Sequence, residues 1–120
     1  MPIDIPELTP DVVFDALRNP RRQFTLAYLR QQDRHVTLTE FARKITAWEV
    51  GSSPTEIEED QVERVRVSLH HSHLPKLADL GLVEYTDDDR HTVSATERVQ
   101  TIEADMEIAA LVDPKKYYTG

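Results

Sequence analysis

The stretch "HHSHLPKLADLGLVEY", residues 70–85, predicts the end of a helix followed directly by a strand. Apolar residues recur at helical spacing up to Leu80, and Gly81 is a typical helix stop. The segment "LVEY" then alternates apolar and polar residues, as a half-buried strand does. Together with "HTVSA" at residues 91–95, across the aspartate-rich turn "TDDDR", it predicts a β-hairpin.

The helix before Gly81 is predicted to be long. Ser53 and Glu56 have the spacing of a capping box, so the helix should begin near residue 54. At about 100° per residue, one side of this helix is apolar and the opposite side is mostly polar or basic. The apolar stripe comprises Val62, Val65, Leu69, His73, Leu77 and Leu80, and the opposite side carries Arg64, Ser68, His71 and Pro75.

Two residues of this helix carry structural predictions. His73 falls on the apolar side and is predicted to be a core histidine that donates one hydrogen bond to a backbone carbonyl. Pro75 cannot donate a hydrogen bond to the carbonyl of His71, so a bend is predicted between these two positions.

Upstream, three shorter helices are predicted from their capping residues. Thr9 and Asn19, each followed by a proline at the first helical position, start the first two helices. Thr37 and Glu40 have capping-box spacing and start the third. Val36, just before this third helix, gives a short strand signal.

The predicted order is three helices, a long helix, a hairpin and a last helix capped by Thr96. This is the order of a winged helix-turn-helix, a mainly α fold with a small β-hairpin, here with an added C-terminal helix. The chain is predicted to consist of an N-terminal extension (residues 1–8), the winged domain (9–96), a C-terminal dimerisation helix (97–113) and a flexible tail (114–120).

Residues 70–85 resemble the recognition-helix signature of arsenic-repressor-type (ArsR-like) winged helices, where serine, a variable residue, His-Leu and Leu-x-x-x-Gly-Leu-Val occur in register. From "DALRNPRRQFTLAYL" to the hairpin, roughly residues 11–96, the chain is similar to a group of haloarchaeal winged-helix domains, mostly uncharacterised or described as regulators. The resemblance implies a winged-helix fold and a regulatory function. Two departures are a long acidic insert before the recognition helix and "DDD" at the wing tip.

The 120-residue chain has a formal net charge of −8, from 22 acidic and 14 basic residues. This balance argues against a protein that coats nucleic acid through bulk charge. The charges are segregated, however: residues 18–34 hold five arginines and one aspartate, and residues 49–60 hold five acids and no base. Only four of the cations are lysine, and together with the acid surplus this composition resembles a proteome adapted to high salt.

Several classes of protein are disfavoured by composition. The chain has no cysteine, so disulfides, thiolate nucleophiles and cysteine-based metal sites are excluded. It lacks an apolar run of membrane-spanning length and a secretory signal, so a cytoplasmic, soluble protein without membrane contacts is expected. It also lacks a glycine-rich phosphate loop and a serine elbow, so neither enzymatic activity nor a cofactor is expected.

The histidines near residue 70 could suggest a metal site. His70 and His73 are adjacent on a helix surface, whereas His71 lies elsewhere on the circumference, so one helix offers at most two ligands. A sensing or catalytic site normally needs three protein ligands, and no metal site is therefore predicted.

A set of basic and small polar residues is predicted to contact double-stranded DNA. Arginine clamps phosphates well, and a polar helix face can read base edges in the major groove. The alternative for the arginines is a solvated face. The predicted contacts are Arg64, Ser68, His71 and Ser72 in the groove, Arg21, Arg22 and Lys76 on phosphates, and Arg90 at the wing.

The last helix carries a narrow apolar seam formed by Val99, Ile102, Met106 and Ala109. Such a seam suits pairing with a second copy of the chain, and a homodimer is predicted on this basis. The alternative is that the seam packs back on its own domain.

Two functions follow from these features. The first is a dimeric, sequence-specific DNA-binding transcription regulator that reads the major groove with a helix within residues 60–80. The second is a winged-helix module that binds a protein partner through the acids at residues 56–60 and 87–89 and does not touch DNA. The arginine cluster favours the first, and the acidic segments favour the second.

Overall fold

A computed structural model describes residues 7–32, 34–53, 55–86 and 89–112, with side chains described up to residue 107. In chain order, the elements are α1 (Pro10–Leu17), α2 (Pro20–Arg30), β1 (Val36–Thr37), α3 (Leu38–Val50), α4 (Glu59–Ser68), a π-helical turn (Leu69–His73), α5 (Leu74–Asp79), β2 (Val83–Tyr85), β3 (Thr92–Ala95), a 3₁₀ segment (Glu97–Ile102) and α6 (Glu103–Val112). The predicted C-terminal tail and most of the predicted N-terminal extension lie outside the described residues.

The strands form one small antiparallel sheet in the order β1-β3-β2. In the hairpin, Val83 pairs with Ala95, and β1 adds a third strand by pairing Val36 with Val93. The predicted fold class is confirmed: the chain is mainly helical with a small sheet, an arrangement compatible with a winged helix-turn-helix. No helix among the described residues is long and apolar enough to cross a bilayer.

The predicted starts of the first three helices are confirmed by side-chain hydrogen bonds. Thr9 Oγ1 accepts from the backbone N–H of Val12 at 3.4 Å, and Thr37 Oγ1 accepts from that of Glu40 at 3.1 Å. Asn19 Oδ1 accepts from the backbone N–H of Arg21 at 2.9 Å. These contacts satisfy N–H groups that have no partner within the helix.

The predicted start of the fourth helix near residue 54 is wrong, because α4 begins at Glu59. Its first turn is fixed instead by Gln61, whose side chain accepts a hydrogen bond from the Glu58 backbone N–H at 3.1 Å. Ser53 does not cap a helix, and its hydroxyl lies 3.0 Å from that of Thr55. Ile57 is buried in the core, so the segment before α4 is folded against the domain.

The long helix changes its hydrogen-bond register before the proline, where a bend was predicted. Leu74 donates its backbone N–H to the carbonyl of Leu69, five residues back, so one turn is π-helical. A π turn holds one more residue than the α ladder, which rotates the following segment backward by about 100°. Leu74 is about 120° away from Val62 on an ideal α-helix, yet it is only 1% exposed. The register change therefore brings Leu74 into the core.

The core contains an aromatic cluster between α2 and α3. The Phe41 ring lies 5.4 Å from Tyr28 and 6.2 Å from Phe24, measured between ring centroids, and Trp48 lies 4.9 Å from Phe24. Val36 and Val93, paired across the sheet, are also fully buried in this core. Aromatic rings of this size dominate the apolar area that a small domain buries.

Three of the four residues of the predicted C-terminal seam are buried within their own chain, which favours the alternative that the seam packs on its own domain. Thr96 caps a 3₁₀ segment that leads into α6, and Val99, Ile102 and Met106 are buried in the core of the same chain. The side chain of Ala109 lies outside the described part, and a homodimer stays a prediction.

Gly51, which ends α3, adopts the left-handed conformation with φ of 72°. Gly51→Ala should lower the free energy of unfolding by about 1 kcal/mol, because an L side chain is strained there. An added Cβ would meet nothing within 4 Å, so strain alone should account for the loss. Urea denaturation measures the change, with Ser52→Ala as the neighbouring control. Equal stability of Gly51→Ala and the parent chain would contradict this explanation.

Candidate nucleic-acid interface

The polar side of the long helix, residues 59–79, faces outward. Its exposed residues include Arg64, His71, Ser72 and Lys76, and Ser68 is half-buried. The opposite side is held in the core by Val62, Val65, Leu69, Leu74 and Leu77. The predicted division of this helix into a buried and an outward side holds from Val62 to His73, whereas beyond the π turn Leu74 joins the core and Leu80 is only half-buried. The outward side forms a polar ridge that a groove could accept.

Charge is uneven along this ridge. The first turns are acidic, with Glu59, Asp60 and Glu63 exposed, and carboxylates are favoured there by the helix dipole. Glu59 pairs with Arg43 of α3, and Glu63 binds Arg66 through both carboxylate oxygens. The half of the ridge nearer the hairpin contains the histidines. Its exposed charged residues are Lys76 and Asp79, so this half carries fewer exposed carboxylates than the first.

The two predicted phosphate clamps, Arg21 and Arg22, are engaged within the chain. The Arg21 guanidinium donates to both carboxylate oxygens of Glu49, at 2.5 and 2.9 Å. Arg22 donates from Nε to the carbonyl of Ala16 at 2.8 Å, and from a terminal nitrogen to that of Asp15 at 3.0 Å. Arg22 thus satisfies carbonyls at the end of α1, a role that the sequence pattern did not reveal.

Lys76 also has an internal partner, since its Nζ lies 2.8 Å from Asp15 Oδ2. The hydrogen bond and the charge of Lys76 lower the pKa of Asp15. Both side chains are well exposed, so the pair is open to competition from an external anion. By contrast, no ion pair of Arg64 is present among the described residues.

His73 is buried as predicted, at 8% exposure, but its hydrogen bonding differs from the prediction. Its Nδ1 has no hydrogen-bond partner among the described residues. Burial lowers the pKa of His73, and the charges of Arg22 and Arg21 lower it further. His73 is therefore a neutral core residue placed behind the two arginines.

A second group of basic side chains lies where the π turn meets the hairpin. The rings of His70 and His71 meet edge to face with centroids 5.0 Å apart. Burial lowers the pKa of His70, and further lowering comes from His71, Arg66, Arg90 and His91. The electrostatic action of residues 90 and 91 on His70 depends on how the hairpin folds back, which the sequence pattern does not reveal.

Arg90 has an unusual backbone conformation at the end of the hairpin turn. Its φ is 59°, and it is the only residue other than glycine with a positive φ in the described part of the chain. The guanidinium carbon lies 5.3 Å from the centroid of the Tyr85 ring, a cation–π arrangement. Arg90 remains exposed, so the contact positions its charge without covering it.

Groups of three or more potential metal-ligating residues are absent from the described ranges. The charges of Arg66 and Arg90 act on His70, and arginine repels cations.

Comparison with known families gives one match. Residues 14–94, from α1 into β3, match the domain of unknown function DUF7344. The chain belongs to this family. The matched part of this DUF7344 protein contains the long helix and most of the hairpin, whereas the 3₁₀ segment and α6 follow it. No curated protein and no solved structure matches the chain.

Proposed function

We propose that this DUF7344 protein is a sequence-specific DNA-binding transcription regulator that places the long helix, residues 59–79, in the major groove. The observation that carries the proposal is the outward, uncovered polar side of this helix. Arg64, His71 and Ser72 are exposed there, and their side chains can donate hydrogen bonds to base edges and phosphates. The core holds the other side of the helix, so the reading residues stand on a rigid element.

The distribution of charge limits how the helix can dock. Glu59, Asp60 and Glu63 would be repelled by phosphates if the first turns of α4 entered the groove. The half that includes His71 and Lys76 lies nearer to Arg90 in the hairpin and carries no exposed carboxylate before Asp79. We therefore infer that the first turn of α4 points away from the duplex, and that the helix from Arg64 through the π turn and α5 approaches it, with the hairpin beside it.

The roles of the predicted phosphate clamps change in this proposal. Arg22 serves the fold, because both of its contacts are to backbone carbonyls of α1. Arg21 and Lys76 lie in partly exposed ion pairs, which contribute little to stability and can exchange a carboxylate for a phosphate. If Arg21 or Lys76 bound a phosphate, its former partner, Glu49 or Asp15, would be left beside the duplex and would repel it. The phosphate contacts of Arg21 and Lys76 are therefore weaker than those of an arginine without an internal ion pair.

The acid surplus is compatible with DNA binding at high salt. Counterion release contributes less as salt concentration rises, so affinity must come from close contacts and shape fit rather than from net charge. We propose in addition that the protein works in a high-salt cytoplasm, which the low lysine content and the acid surplus support.

Arg64→Gln is expected to weaken binding to the preferred duplex about tenfold, because one good base-directed contact contributes roughly 1–3 kcal/mol. The duplex is first selected from a random pool with the parent chain, and affinities are then measured by fluorescence anisotropy over a range of potassium chloride concentrations. Arg30→Gln is the matched control, since Arg30 pairs with Glu103 in α6, away from the long helix. Its binding should be unchanged.

Two results would contradict the proposal. Equal affinity of Arg64→Gln and the parent chain would remove the long helix as the reading element. Failure to select any duplex at any salt concentration would remove DNA binding altogether. The alternative, a protein-binding module that uses the exposed acids at residues 56 and 58–60, would then be favoured.

A further inference from the structure

We propose that the carboxylates of Asp15 and Glu49 are built-in competitors of phosphate, which hold Lys76 and Arg21 in the free protein and thereby weaken its binding to DNA of any sequence. This inference rests on the proposed function and deepens it, because it names two residues that regulate the same interface. The two ion pairs, Asp15–Lys76 and Glu49–Arg21, are called the masking pairs below.

Both masking pairs join different elements of the fold. Lys76 Nζ, on α5, lies 2.8 Å from Asp15 Oδ2, on α1. The guanidinium of Arg21, in the first turn of α2, donates to both carboxylate oxygens of Glu49 in the last turn of α3, at 2.5 and 2.9 Å. The tertiary fold therefore brings each carboxylate to its cation, and neither pair is one that a single helix forms by itself.

The masking pairs are attached to the same junction of helices, where the start of α2 is fixed against the end of α1. Arg22, the neighbour of Arg21, donates to the carbonyl of Asp15 at 3.0 Å and to that of Ala16 at 2.8 Å. Asp15 thus binds Arg22 through its backbone and Lys76 through its side chain. Arg21 and Lys76 are therefore carried by two elements that are both bound to Asp15.

Both carboxylates occupy the unfavourable ends of their helices. Asp15 and Glu49 lie in the last turns of α1 and α3, where the helix dipole disfavours negative charge and no basic residue of the same turn offsets it. Arg21, in the first turn of α2, is likewise at the end where positive charge is disfavoured. Residues that break a local rule of helix formation are expected at functional sites. The positions of these charges thus indicate a function other than helix stability.

The masking pairs are also accessible to a phosphate. The side chains of Asp15 and Lys76 are well exposed, and those of Arg21 and Glu49 are partly exposed. Ion pairs of this kind contribute little to stability, so a phosphate can displace the carboxylate. The displaced carboxylate remains on its own helix beside the phosphate and repels it. Each masking pair therefore weakens phosphate binding by occupying a cation and by leaving a negative charge nearby.

Two other ion pairs near the long helix have a different character. Glu63 holds Arg66 three residues along the same helix, and such pairs form in isolated helices. Glu59 pairs with Arg43 of α3, but Glu59 lies in the first turn of α4, where the dipole favours a carboxylate. Neither pair places a carboxylate in the last turn of its helix, so the proposal is confined to the masking pairs.

The effect of the masking pairs is independent of DNA sequence. Phosphates are the same in every duplex, so contacts to them add affinity without discrimination. The masking pairs reduce this part of the affinity and do not involve Arg64 or His71, which are proposed to reach base edges. Because a chromosome offers a very large number of non-specific sites, weaker phosphate binding limits the amount of protein held at them.

The test uses a duplex of mixed sequence, so no preferred site is needed. The double variant Asp15→Asn/Glu49→Gln removes both competitors, and its affinity is compared with that of the parent chain by fluorescence anisotropy over a range of potassium chloride concentrations. We expect several-fold tighter binding at the lowest salt concentration. The slope of log affinity against log salt concentration should become steeper by about 2, because two more cations contact phosphates.

Further variants separate masking from net charge. Glu97→Gln/Glu107→Gln removes two exposed carboxylates of the 3₁₀ segment and α6, so it changes the net charge equally and should leave the slope unchanged. A quadruple variant, which adds Arg21→Gln and Lys76→Gln to the double variant, has the net charge of the parent chain and should lose the gain. Unfolding midpoints establish that each variant is folded. Asp15→Asn alone should steepen the slope by about 1 and replaces the combined variants if they are unstable.

Equal slopes for the parent chain and Asp15→Asn/Glu49→Gln would overturn the proposal, as would absence of duplex binding by both. A gain that persists in the quadruple variant would also overturn it, because Arg21 and Lys76 would then not be its source. An equal gain in the charge control would assign the effect to net charge alone. If no preferred sequence can be selected but the slope on mixed-sequence DNA steepens, sequence reading fails while the masking pairs are supported.

Discussion

Phe41→Ala is expected to lower the free energy of unfolding by about 3–5 kcal/mol, the largest stability effect proposed for this chain. Phe41 is 0% exposed and its ring stacks on Tyr28 and Phe24. Truncation removes the buried ring and leaves a cavity that α2 and α3 can close only in part. Because small domains are stable by only about 5–15 kcal/mol, much of the stability would be lost.

Urea denaturation followed by circular dichroism measures this effect. Phe14→Ala is the matched control, since Phe14 is the same residue type but 69% exposed on α1. Its expected change is within about 0.5 kcal/mol. A loss below about 1 kcal/mol for Phe41→Ala would show that the ring is not part of a closely packed core.

Ile102→Ala is expected to lower the free energy of unfolding by about 2–5 kcal/mol, independently of protein concentration. Ile102 is 2% exposed within the single chain, at the end of the 3₁₀ segment, so its loss leaves a cavity in the domain itself. The measurement is urea denaturation at two widely different protein concentrations. Gln100→Ala, an exposed neighbour in the same segment, is the control and should change stability little.

Concentration dependence distinguishes the packing in the structure from a seam between two copies. If Ile102 held a dimer together, the unfolding midpoint of the parent chain would rise with protein concentration. The alanine variant would then lose that rise while keeping the stability of the monomer. This outcome would contradict the placement of the 3₁₀ segment in the core of its own chain.

Local chemistry explains which parts of the fold could be predicted from sequence. Thr9, Asn19 and Thr37 each bond to N–H groups two or three residues away, so their helix starts can be read from a few letters. The start of α4 could not, because burial of Ile57 delays the helix and depends on the whole core. The spacing of capping residues shows where a helix can begin, but it does not show whether packing against distant residues moves that start.

The candidate interface was less predictable, because its geometry depends on residues far apart in the chain. Arg21 pairs with Glu49, 28 positions away, and this partner could not be inferred from the arginine cluster. The partner of the seam that contains Ile102 could not be predicted either, because an apolar stripe has the same sequence pattern whether it packs on its own core or on a second copy of the chain.

The π turn at Leu69–His73 makes the long helix behave as two pieces with independent azimuths. Ahead of it, the orientation of Arg64 is fixed by Val62 and Val65 in the core, and beyond it the orientation of Lys76 is fixed by Leu74 and Leu77. Inserting or deleting one residue in this turn would rotate the distal piece by about 100° relative to the proximal piece and would take Leu74 and Leu77 out of the core, so the core itself constrains the length of the turn.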